Sequence, residues 1–119
     1  MTKWLKRGVP REDKNLKSIS HSYAKRHEKE IAEDIGGHTT KGSGSGNEKG
    51  DVRVDGLFRV ECKCTKNKSY SLKLETLQKI EEESLSSGET PLLNLRFIDD
   101  VGNKKAGYYL VPEEFLIID

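Results

Sequence analysis

The chain has no run of about 18 apolar residues, so a membrane-spanning helix is not expected. Its opening residues, MTKWLKRGVPRED, lack the apolar stretch of a signal peptide, and a cytoplasmic protein is the expectation. Cysteine is scarce. Cys62 and Cys64 stand two apart, and on a strand they would point the same way with stretched chain between them, which excludes a disulfide framework and suits a reducing compartment. CxC with three scattered histidines (His21, His27 and His38) is poor zinc spacing. No internal repeat occurs, and the glycines match neither Walker nor Rossmann spacing. Apolar surplus is missing too: hydrophobic residues are 33% and charged residues 34%, so the strands and helices must supply nearly all the core. At 119 residues that core belongs to one domain, since the chain is too short for two.

What the chain does have is charge, unevenly placed. Residues 1–74 hold 17 Lys/Arg against 10 Asp/Glu, and residues 75–119 hold 4 against 10, giving the net +1. A basic N-terminal part suits a polyanion such as nucleic acid, with solvated surface charge as the plain alternative. Residues 1–17, with Lys3, Trp4, Lys6, Arg7, Arg11, Lys14 and Lys17, offer little to a core. The division expected is a basic N-terminal arm over 1–19 and a single domain over 20–119.

From about Ser20 to Ile35 the spacing is helical. Ala24 and Ile35 fall near the face centred on Ile31, Ser20 or Ser22 can cap the start, and Gly36-Gly37 stops the helix. His27 and Glu28 lie on this apolar side; His27 reads as a half-buried packing residue, and a buried carboxylate such as Glu28 needs a partner or a metal. A short strand is expected from His38 to Lys41, followed by a glycine-rich loop from Gly42 to Gly50. Residues 71–86 read as a second helix, with Leu74, Leu77, Ile80 and Ser84 or Leu85 sharing a face. TPLLNLRFID is a strand turning Leu93, Leu95 and Phe97 inward, AGYYLV is another, and Pro112 opens a possible last helical turn. The order is helix, three strands, helix, strand, strand.

The middle of the chain, GDVRVDGLFRVECKCTK, carries the chemistry. Asp55-Gly56 signals a hairpin turn. A two-residue loop would mix polar and apolar residues on both faces. A three-residue loop, with Gly56 left-handed and a bulge, pairs Val54 with Phe58 and Val52 with Val60, and lets Cys62 and Cys64 continue that apolar face. The other face then collects Asp51, Arg53, Arg59, Glu61 and Lys63, with Asp51 across from Glu61 at about 5 Å between Cβ atoms. Two opposed carboxylates repel. A shared divalent cation removes the penalty, and carboxylate oxygens are what Mg²⁺ or Mn²⁺ accepts. Such an ion makes a water acidic enough to attack a phosphodiester, while Lys63 stabilises the added charge. Arg53 and Arg59 could instead offset the repulsion in a purely structural ion cluster.

Gly50-Asp51 and Glu61-Cys62-Lys63 resemble the two acids and lysine of the PD-(D/E)xK nuclease superfamily, with Gly50 where the proline of the name stands. Within it the chain is most similar to the archaeal-type Holliday junction resolvases and their viral relatives, over roughly residues 20–98. The resemblance implies an α/β (α+β) domain of restriction-endonuclease-like kind, a mixed sheet of about five strands flanked by helices. It implies a homodimer cutting branched DNA, with paired nicks in four-way junctions, and Mg²⁺ (Mn²⁺ may substitute) as cofactor. Carried over, Glu28, Asp51, Glu61 and Lys63 are the catalytic residues. The metal set is Asp51, Glu61, Glu28 and the Cys62 carbonyl. The DNA contacts are Lys41, Ser43, Ser45, Lys49, Lys66, Lys68, Lys6 and Arg7. A nicking, repair or site-specific nuclease would share every catalytic residue, and a non-catalytic DNA-binding module would keep the fold alone. The dimer surface could use residues 92–97 or Tyr108-Tyr109, whose ordinary reading is core strand.

Overall fold

The computed structural model describes residues 12–40 and 51–116, with side chains from Ser22 onward. Its order is α1 (Glu12–Ile35), β1 (His38–Thr39), β2 (Val52–Val54), β3 (Phe58–Thr65), α2 (Leu74–Ser86), β4 (Thr90–Ile98), β5 (Lys104–Leu110) and a 3₁₀ turn, Glu113–Phe115. This is the order the patterns predict. The strands form one five-stranded sheet in sequence order, antiparallel except for the β3–β4 pair. A parallel neighbour cannot be reached by a tight turn, and α2 provides the crossover. The fold is α+β with a mixed sheet.

The helices cover opposite faces. Ile31 and Ala32 of α1 pack on Val52 and Val60, with Ile35, Cys62 and Leu92 around them. Ile80 of α2 packs on Leu93 and Leu95, with Tyr70, Leu77, Phe97 and Leu110. Strand β4 is therefore buried on both sides. Leu93 and Leu95 face α2 as expected, but Asn94, Arg96 and Ile98 are buried as well. Such two-sided burial follows from a parallel strand under helices on both faces.

Several features differ from the sequence reading, β1 among them, which spans His38–Thr39 rather than reaching toward Lys41. Helix α1 begins at Glu12 rather than near Ser20, so Ser20 and Ser22 lie inside it instead of capping it, and the arm assigned to 1–19 is helical from Glu12. Residues 12–19 lack apolar periodicity but include good helix formers, which carry the helix past its packed face. Helix α2 starts at Leu74, not Ser71, and Leu74 and Leu85 are 69% and 55% exposed, leaving Leu77, Ile80 and Ser84 as the covered face. Tyr108 and Tyr109 of β5 are exposed rather than core.

Gly36 ends α1 at φ 74°, and the Gly37 N–H reaches back to the Ala32 carbonyl at 2.8 Å, a Schellman closure. A Cβ on Gly37 would lie 2.4 Å from the Arg53 carbonyl oxygen, so glycine there lets the chain run against β2. Among the described residues no helix is long and apolar enough to cross a membrane.

Candidate active site

The hairpin adopts the bulged register. Val52 pairs with Val60 and Val54 with Phe58, and Gly56 holds φ 78° in the intervening loop, closed by a 2.8 Å bond from the Leu57 N–H to the Val54 carbonyl. Val52 and Val60 are fully buried. Burial on one face forces the register, because a one-residue slip would turn both valines out.

That register fixes Asp51. Its N–H donates to the Val60 carbonyl at 3.0 Å, and its carbonyl accepts from the Thr40 N–H at 3.1 Å. Strand β2 begins only at Val52, so the ladder ends one step short of Cys62. The Asp51 carboxylate takes the missing place: Oδ2 accepts the Cys62 N–H at 2.9 Å. The carboxylate is thereby held by backbone, not by a rotamer preference alone.

Glu61 and Lys63 alternate with Val60 and Cys62 and so stand on the opposite, α2-facing side of β3, level with Leu93 and Leu95 of β4. Lys63 Nζ lies 3.6 Å from Glu61 Oε2, with the side chains 36% and 23% exposed. Burial pushes the Glu61 carboxyl up to about 7; the charges of Asp51 and Glu83 push the same way, against Lys63. Glu28, on α1, is also raised by burial and then by Asp51, opposed by Lys25. Asp51 is the common neighbour. Its charge reaches Glu28 of α1 on one side and Glu61 of β3 on the other. Among the described residues no three His, Cys, Asp or Glu side chains are already drawn together as a metal-ligand set.

The two arginines do not neutralise this group in the way the register alone suggested. Both converge on Glu89, which the sequence reading missed. Arg53 Nη2 donates to Glu89 Oε2 at 2.7 Å and Arg59 Nε to Oε1 at 3.1 Å; the Gly56 N–H at 3.0 Å and the Ser87 hydroxyl at 3.0 Å complete the shell. Burial alone would raise the Glu89 carboxyl, but these donors outweigh it and hold it at about 2. The one signal in the sequence was that Arg53 and Arg59, facing each other in the hairpin, need a counter-charge. Glu61, by contrast, has Lys63 as its cationic partner among the described residues.

Beneath α1 lies a buried polar layer. His27 is 2% exposed rather than half-buried, and its Nε2 lies 2.6 Å from Asn94 Oδ1; burial lowers its pKa, against this bond, which raises it. Arg96 pairs with Glu30. The Cys62 thiol is pushed up by burial and by Asp51, Glu28 and Glu61, so it is no nucleophile. Both cysteines are free. Of the expected DNA contacts, Lys66 and Lys68 are exposed just past β3, with Lys66 Nζ 5.2 Å from the centre of the Tyr23 ring. Lys6, Arg7, Lys41, Ser43, Ser45 and Lys49 lie outside the described residues. Comparison with family models, with curated proteins and with solved structures finds no match to this chain.

Proposed function

We propose that this chain is a metal-dependent DNA endonuclease of the PD-(D/E)xK kind, a Holliday junction resolvase that makes paired nicks in four-way junctions as a homodimer. The observation that carries this reading is that Asp51, held at the start of the bulged hairpin by the Cys62 N–H, lies near enough to Glu61 and to Glu28 for its charge to raise both, with Lys63 next along the Glu61 face of β3.

The donor chemistry fits a hard divalent cation. Asp51, Glu61 and Glu28 offer carboxylate oxygens and the Cys62 carbonyl is a further candidate; burial and then the charge of Asp51 raise Glu28 and Glu61, and a shared cation would relieve both. Mg²⁺ or Mn²⁺ held there would supply Lewis-acid activation of water and of the phosphodiester. The chain's own groups do the rest. The Cys62 N–H keeps the Asp51 carboxylate aimed. Lys63 offers an ammonium to a phosphate oxygen and stabilises the charge that develops in the transition state. Lys66, Lys68 and the basic residues of the N-terminal part contact phosphates, which gives affinity without sequence preference and leaves discrimination to the shape of the branch.

Cleavage of synthetic four-way junctions, linear duplexes and flaps in Mg²⁺ tests the reading. Symmetric paired nicks are expected in the junction. Asp51→Asn should lower the rate by at least about 10²-fold while DNA binding persists. Cutting of plain duplex at one sequence would assign a site-specific nuclease instead, and binding without cleavage by the unaltered protein would leave a DNA-binding module.

A further inference from the structure

A cleft of about 200 Å³ opens beside Lys63, between β3 and β4 on one side and the segment entering α2 on the other. Lys63, Tyr70, Ser71, Lys73 and Thr76 line it, with Leu72 and Leu93 as its apolar wall. Every polar side chain among them can donate a hydrogen bond, two are ammonium groups, and none is a carboxylate. The acids of the adjacent helix, Glu75, Glu81, Glu82 and Glu83, stay off its wall. In a chain with 20 Asp and Glu, a recess with two ammonium groups, three hydroxyls and no carboxylate on its wall favours an anion.

We infer that this cleft is a subsite for a backbone phosphate of the nucleic-acid strand, beside the phosphate that is cut. The inference rests on the nuclease reading for its substrate class, DNA. Size agrees: pockets for whole organic ligands start near ~300 Å³, so this recess admits a phosphate rather than a nucleotide. Its place agrees as well, because Lys63 serves both the cleft and the acid group, and one strand can lie across both. Lys73 adds an independent reason. It is the N-cap residue of α2, makes no side-chain cap, and has no acidic partner among the described residues. A cation at the positive end of a helix is unfavourable; Glu75 in the first turn offsets part of this, and an anion held by Lys73 would offset more.

The test is the binding of a short fluorescent DNA duplex and a four-way junction by anisotropy across a series of KCl concentrations, without divalent ion. Lys73→Ala should weaken binding about fivefold to tenfold and shallow the salt slope by about one phosphate contact. Lys79→Ala, on the same helix but away from the cleft, should change neither quantity. An unaltered slope in Lys73→Ala, or an equal loss in Lys79→Ala, overturns the subsite. Lys73 is exposed, so the variant should fold, and a matching thermal transition confirms it. Cleavage in Mg²⁺ is scored separately: no cutting by the unaltered protein, with the Lys73 slope change present, removes the nuclease reading and leaves the phosphate subsite standing.

Discussion

At the scale of single residues, Glu61 carries a pH-dependent cost in stability. Burial and Asp51 raise its carboxyl to about 7 from the unfolded 4.5, so the folded chain keeps a proton that the unfolded chain releases between those values. Stability therefore falls as pH rises through that window and is lowest above it. Glu61→Gln mimics the protonated form and should stabilise the protein by about 1–3 kcal/mol near pH 8, with the gain shrinking toward pH 5. Urea titrations at the two pH values check it, and equal gains at both would mean that the proton is not involved. On the proposed reading, a divalent ion would compete with the same proton. Mn²⁺ affinity measured by calorimetry should rise steeply between about pH 6 and 8 in the unaltered protein and lose that dependence in Glu61→Gln.

At the scale of elements, Glu89 fastens the hairpin to the turn between α2 and β4. Its carboxylate accepts from both Arg53 of β2 and Arg59 of β3, and it also takes the Gly56 N–H at the loop. Removing one partner of a buried ion group leaves uncompensated charge, so Glu89→Gln should cost about 3–5 kcal/mol. The carboxyl sits at about 2 in the fold against 4.5 unfolded, so its contribution is full above the unfolded value and is lost as pH falls from there toward 2. Acid unfolding followed by circular dichroism should show that loss in the unaltered protein and little of it in Glu89→Gln. Local patterns revealed the hairpin but not its fastener. The turn, the bulge and the alternation lie within a few residues of one another, whereas Arg53 and Glu89 are 36 residues apart and meet only after the crossover has formed.

At the scale of the whole molecule, β5 is an edge strand: among the described residues no strand pairs on its outer side, and Tyr108 and Tyr109 are 59% and 46% exposed. An open, aromatic edge invites pairing with another strand. Two coordinated nicks require two active sites, and a second copy joined along β5 would supply them. Sedimentation velocity should find a dimer that the Tyr108→Lys/Tyr109→Lys double variant reduces to monomer, since lysines blunt an edge. A dimer unaffected by the two lysines would move the interface elsewhere. The sequence assigned these tyrosines to a strand correctly and to the core wrongly, because alternation identifies a strand without saying which neighbours cover it.

The order of elements, the register of the hairpin, and the shared face of Glu61 and Lys63 were determined by the sequence alone. All three follow from short-range rules: a period of two along a strand, a period near 3.6 along a helix, and glycine where φ must be positive. Tertiary structure decided what each charge answers to. It sent Arg53 and Arg59 to Glu89, brought Glu28 to Asp51 from the opposite layer, sank His27 against Asn94, and shaped the donor-lined recess beside Lys63. These outcomes depend on which surfaces are covered and on residues as far apart as His27 and Asn94, 67 positions in sequence. No pattern along one strand or one helix carries that information.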